Sequence, residues 1–105
     1  MYRTQYGRQS IRGDDVRAVM RVLRSPFLTQ GPEVPRFERA IAAHTGLRYA
    51  VAVCNGTAAL HLAYLAAGLT KGDEVIVPGM TFTATTNMLI AIGAKPIFCD
   101  IRHDT

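Results

Sequence analysis

The feature that most constrains this chain is an alternation that begins at residue 49. Tyr49 to Val53 is a short apolar, partly β-branched run that leads into Cys54-Asn55-Gly56-Thr57, then into the Ala- and Leu-rich segment Ala58 to Ala67, closed by Gly68. Glu74 to Val77 is a second such run ended by Pro78-Gly79, residues 82 to 92 are a second helix-like segment closed by Gly93, and Pro96 to Ile101 is a third run. The order reads strand, helix, strand, helix, strand. Strands separated by helices of about a dozen residues are joined by crossovers rather than hairpins, which implies a mostly parallel sheet with helices on its faces. The expected fold class is α/β, with βαβαβ following an N-terminal helical segment.

That helical segment has its own grammar. Val16, Val19, Met20 and Leu23 recur at i, i+3, i+4 and i+7, and Asp14 and Asp15 fall in the first turn, so a helix begins near Arg12. Pro26 and the stretch Phe27 to Pro32 interrupt it, because proline has no amide donor and biases its predecessor away from helix. Helical spacing returns from Val34 to Thr45 through Phe37, Ala40 and Ile41, with Gly46 placed for a left-handed C-terminal cap. The 105 residues fall below the roughly 150 of an average domain, so the chain holds at most one domain. Within it, 1–47 is expected to be a helical segment with a loop, and 48–105 the incomplete start of a sheet domain. No helix follows the third strand, so the sheet reads as unfinished, and its open edge predicts poor solubility or a partner.

Composition narrows the function classes. At 49% apolar and 19% charged the chain is globular rather than disordered. It has no long uncharged apolar run and no hydrophobic signal core behind its arginine-dotted start, which predicts a cytoplasmic protein without a membrane partner. The formal net charge is +4, and Arg3, Arg8, Arg12, Arg17, Arg21, Arg24 and Arg36 all fall in the first 36 residues. Such a cluster suits a nucleic-acid or phosphate-bearing partner, or it is a solvated helix face. The i, i+4, i+7 spacing of Arg17, Arg21 and Arg24 favours the solvated face, so no nucleic acid is expected. Cys54 and Cys99 form neither a CxxC pair nor a metal spacing and are expected to be reduced and partly buried; no metal site is expected.

Ligands of open α/β sheets gather where strand ends run into helix N-termini. At Asn55-Gly56-Thr57-Ala58 the glycine allows close backbone approach, and the first-turn amides with the positive helix end suit a phosphate. The plain alternative is a tight turn. Neither the G-x-G-x-x-G spacing nor a Walker lysine is present. In Thr81 to Asn87, Phe82 stands at the mouth of the same edge, where it either lies flat on a planar heteroaromatic ligand or belongs to the core. His44, His61 and His103 have no carboxylate partner at fixed spacing and read as packed, capping or tail residues.

Six motifs then occur in one order: Tyr6-Gly7-Arg8-Gln9, Phe27 to Pro32, Asn55 to Leu62, Gly72-Asp73-Glu74-Val75, Thr81 to Asn87, and Ala94-Lys95-Pro96. Together they resemble the amino-terminal part of the DegT/DnrJ/EryC1/StrS sugar aminotransferases. The resemblance implies a partial large domain of the fold-type-I pyridoxal phosphate transferases. It also implies an activity, moving an amino group from glutamate to a keto-sugar nucleotide in amino-sugar biosynthesis, and a homodimer in the intact enzyme. It makes Gly56, Thr57, Ala58 and Phe82 cofactor-binding, the amides of Thr57 and Ala58 on the phosphate and the Phe82 ring on the pyridine face. Tyr6, Pro26, Phe27, Leu28, Thr29 and Gly56 resemble substrate-contacting positions of the branch that makes UDP-4-amino-4,6-dideoxy-N-acetyl-beta-L-altrosamine, the amino-sugar precursor of pseudaminic acid. Cys54-Asn55 departs from the Asn-Ser pair more usual before the glycine.

No catalytic residue is assigned. Transamination needs a Schiff-base lysine and a carboxylate against the pyridine nitrogen. Lys71 lies in a turn before a strand and Lys95 at a strand entrance, and neither matches the family's lysine motif, so a fragment inactive alone is expected. The competing expectation is a non-catalytic module that pairs with a separately encoded remainder or a homologue.

Overall fold

The computed structural model describes residues 7–102, and the chain divides into two compact units between Ala50 and Val51. The first unit holds two helices. Helix α1 spans Gly13–Leu23 behind an N-cap at Arg12, whose amide donates to the Asp15 carboxylate at 2.8 Å. The first-turn acid thus occupies one of the amides that a helix start leaves unpaired. Helix α2 spans Glu33–Thr45, with Glu33 paired to Arg36 across one turn at 2.9 Å. It stops where expected: Gly46 adopts φ 71°, a left-handed conformation that costs any residue with a Cβ roughly 1–2 kcal/mol. Neither helix buries a side chain within its unit. Arg17, Arg21 and Arg24 are solvated as anticipated, and Val16, Val19, Met20 and Leu23 on the same helix are exposed as well.

The second unit is the α/β part. Helix α3 is Gly56–Ala66, strand β1 Glu74–Pro78, helix α4 Ala84–Ala91 and strand β2 Lys95–Cys99. The strands run parallel in a register from Glu74 opposite Lys95 to Pro78 opposite Cys99, with α4 as the crossover. The α/β class therefore stands, with a smaller sheet than anticipated. Residues 49–53, read as the first strand, are not part of it, and the sheet of the described residues has two strands. An extended apolar run becomes a strand only where a neighbour offers it a hydrogen-bond ladder. Here α4 folds β1 and β2 against each other. Helix α4 also begins two residues later than its apolar pattern, which leaves Phe82 in the turn ahead of it.

One small core holds this unit. Leu89 is fully buried, Val77 is 3% exposed, and Ala94 joins them, with Tyr64, Leu69, Val75 and Ile92 packed around. Val75 and Val77 point to α4 as alternate strand residues must, while Ile76 between them faces away and is exposed. Full burial of a leucine contributes about 1.5–3 kcal/mol, so Leu89 is the main tie between helix and sheet. The turn between α4 and β2 requires glycine for two reasons: Gly93 has φ 82°, and a Cβ there would lie 3.1 Å from the Lys71 Cβ.

Candidate functional site

The N-terminus of α3 is built by Asn55. Its side-chain oxygen accepts from the Ala58 amide at 2.9 Å, and its carbonyl accepts from the Ala59 amide at 3.1 Å. Helix geometry gives the amides of Gly56 and Thr57 no intrahelical acceptor. Helix α3 has no acidic residue in its first turn, whereas α1 has Asp14 and Asp15 and α2 has Glu33. The positive end of α3 is therefore left uncompensated by its own sequence. A Cβ added at Gly56 would meet nothing within 4 Å, and its φ is not left-handed. Neither packing nor backbone conformation within the chain calls for glycine there. Two amides without an intrahelical acceptor and a first turn free of acidic residues fit a small anion such as a phosphate ester. The Ala58 amide, expected to take part, is occupied by Asn55 in this structure.

Phe82 follows the carboxyl end of β1 and is 72% exposed, so it is not a core residue. Its carbonyl accepts from the Thr85 amide at 3.0 Å. The hydroxyls of Thr81 and Thr85 are 3.0 Å apart, and the half-buried Tyr64 of α3 donates its hydroxyl to the Thr85 carbonyl at 3.1 Å. The structure thus places the α3 residues and the Phe82 turn in one unit and ties them by a side-chain hydrogen bond. The first unit has several hollows. One of about 150 Å³ sits beneath the loop between α1 and α2, lined by Pro26 and Phe27 with Arg21, Val22 and Pro32. It is below the roughly 300 Å³ of a small-molecule pocket. Leu28 and Thr29 are exposed on the same loop and do not line it. Tyr6 lies outside the described residues.

Two features escaped the sequence reading. Asparagine directly ahead of a helix is an N-cap signal, and it would have shown that the Ala58 amide is spoken for. The link from Tyr64 to Thr85 joins residues 21 apart in sequence and leaves no local signature. Cys54 and Cys99 are exposed, contrary to expectation, because both lie at element ends with no layer over them. His61 is half-buried on α3.

Neither lysine stands near Phe82. Lys95 opens β2 and its ammonium donates to Glu74 at 2.8 Å, which raises its pKa above the ordinary 10.5 through that hydrogen bond and the carboxylate charge. Lys71 occupies the turn before β1, against Gly93. Both lie at the amino edge of the sheet, while the Phe82 turn leaves the carboxyl edge, about 13 Å away along a five-residue strand. No helix among the described residues is long and apolar enough to cross a membrane.

A parallel β-α-β unit with an aromatic turn at the carboxyl end of its first strand, preceded by a helix whose start its own sequence leaves uncompensated, has the elements from which α/β enzyme domains build ligand sites. The chain belongs to the DegT/DnrJ/EryC1/StrS aminotransferase family, whose sequence pattern matches residues 9–105. It is 44% identical over 97 residues to the UDP-4-amino-4-deoxy-L-arabinose--oxoglutarate aminotransferase of Shewanella sediminis (strain HAW-EB3), covering 92% of this chain and 25% of that protein. Among solved structures it is similar to the putative sugar aminotransferase Spr1654 from Streptococcus pneumoniae in its PLP form, with a TM-score of 0.87 and 35% identity over 99% of this chain and 26% of that one. It is also similar to the aminotransferase from Psychrobacter cryohalolentis, with a TM-score of 0.83 and 39% identity over 89% of this chain and 24% of that one. The chain thus spans about a quarter of the length of these relatives.

Proposed function

We propose that these residues form the amino-terminal part of a pyridoxal phosphate-dependent sugar aminotransferase, with residues from about 48 onward opening its cofactor-binding domain and 1–47 supplying a helical segment and a substrate loop. The observation that carries the reading is the start of α3, where Gly56 and Thr57 present amides that no first-turn acid neutralises and Gly56 carries no Cβ. In this reading those two amides hold the cofactor's phosphate. The Ala58 amide joins them when the Asn55 side chain turns away, and the exposed ring of Phe82 lies on the pyridine face. The cofactor supplies the electron sink that moves an amino group between donor and acceptor. The chain's own part is to bind the phosphate and orient the ring.

The acceptor we propose is a keto-sugar nucleotide, with glutamate as donor. The Shewanella relative's name and the altrosamine branch share a UDP-linked sugar aminated at C4, which makes that the substrate class to test first. Tyr6, Pro26, Phe27, Leu28, Thr29 and Gly56 are the proposed substrate contacts. A cytoplasmic homodimer without nucleic-acid or membrane partners is the proposed working form. The residues present do not transfer amino groups alone, because Lys71 and Lys95 both lie at the edge of the sheet opposite Phe82.

The test is titration of the chain with pyridoxal phosphate, followed by borohydride reduction and peptide mapping. Saturable binding that weakens at least tenfold in Gly56→Glu, without a stable adduct at Lys71 or Lys95, is the expected result. A specific adduct at either lysine together with amino transfer to a keto-sugar nucleotide would overturn the inactivity, and binding indifferent to Gly56→Glu would overturn the phosphate assignment.

A further inference from the structure

We propose that Tyr64 is a positioning residue for the Phe82 ring, acting through Thr85; this rests on the reading of Phe82 as the ring that meets the cofactor. Phe82 is 72% exposed, so core packing does not hold its ring in place. Its position is set by the backbone of its turn, and that turn converges on Thr85. All three polar groups of Thr85 are engaged: the amide donates to the Phe82 carbonyl, the hydroxyl meets that of Thr81, and the carbonyl accepts from the Tyr64 hydroxyl. The first two bonds are local and give the turn its shape. The third comes from α3, 21 residues away, and fixes where the shaped turn stands relative to the helix whose start holds the phosphate. Tyr64 can serve as that reference because its ring packs against the Val77, Leu89 and Ala94 cluster. Its hydroxyl is thereby located by the core and not by the exposed turn. Losing the hydroxyl leaves the phosphate amides untouched and frees the ring.

Two probes separate these roles, inorganic phosphate for the α3 amides alone and pyridoxal phosphate for amides and ring together. Each is titrated against the full chain and followed by phosphorus NMR. Tyr64→Phe keeps the packed ring and removes the donor. Its affinity for inorganic phosphate is expected to stay unchanged and that for pyridoxal phosphate to fall about fivefold, the equivalent of one hydrogen bond of about 1 kcal/mol. Phe82→Ala should lose at least as much, and the double variant no more than Phe82→Ala alone, since both act on one contact. Thr81→Val loosens the same turn from its exposed side without touching the core, and about a twofold loss is expected. Pyridoxal phosphate affinity unchanged in both Tyr64→Phe and Thr81→Val, with Phe82→Ala impaired, overturns the role of Tyr64. So does an equal loss for both probes in Tyr64→Phe. If Phe82→Ala binds pyridoxal phosphate as well as the native chain does, the reading of Phe82 itself falls, and the proposal with it.

Discussion

The two units treat the ends and faces of their helices in opposite ways. In the first, α1 and α2 bring acids to their own N-termini, Asp15 taking the Arg12 amide and Glu33 pairing with Arg36, while their apolar stripes face outward with nothing buried. In the second, α3 and α4 carry no first-turn acid, and α4 drives Leu89 into a closed cluster with Val77 and Ala94. The first unit is electrostatically complete and hydrophobically open; the second is hydrophobically closed around α4 and electrostatically open at the start of α3. A helix start that its own sequence neutralises has little left to offer an anion, and one that is not keeps its full attraction. The contrast is the physical ground for the proposal that places binding in the unit that also has a core to hold it steady.

The largest effect that would sharpen this contrast is at the core. Leu89→Ala removes the one wholly buried large side chain among the described residues and is expected to cost about 2–5 kcal/mol, read as a lower urea midpoint in denaturation of the full chain. A loss under 1 kcal/mol would mean the cluster does not hold the second unit together. Next comes Gly93→Ala, which combines a left-handed φ with the approach of Lys71 and should cost about 1–2 kcal/mol in the same assay. In the first unit Val19→Ser on α1 should change stability by less than about 0.5 kcal/mol, because that side chain faces solvent. A cost above 2 kcal/mol there would erase the distinction between the units by showing that the stripe is covered.

The smallest expected effect concerns the exposed pair Glu74 and Lys95. Because the pair raises the folded-state pKa of Lys95 above 10.5, its contribution is present below that pH and fades as pH rises through the raised value. Glu74→Gln should therefore lower the melting temperature slightly at pH 7 and leave it unaltered once Lys95 is deprotonated. Molar salt should shrink the difference at pH 7, since the pair is fully solvated. A salt-independent difference would mean that Glu74 contributes by some route other than its charge.

Part of the candidate site was legible before any coordinates: Gly56 and Thr57 at a helix start suited either an anion or a plain tight turn, and Phe82 after a proline-glycine stop marked an aromatic at an element end. The cap that Asn55 places on the Ala58 amide was signalled by residue type but went unread. What could not be read was burial: whether Phe82 is covered depends on whether any layer lies over the end of β1. Apolar content offered no discrimination, since Phe82 and Leu89 look equally suited to a core and only one of them enters it.

The amino-acid order by itself determined where helices stop. Gly46, Gly68 and Gly93 end them and Pro26 breaks the chain between α1 and α2, because capping, left-handed turns and proline stereochemistry act within a few residues. Only the tertiary structure decided which apolar runs became a sheet. Residues 49–53 satisfy the local pattern as well as Glu74–Pro78 does, yet a ladder needs a neighbour, and the crossover through α4 supplied one to β1 and β2. The same holds for Tyr64 and Thr85: a hydrogen bond between residues 21 apart exists only after the core has brought α3 and α4 together.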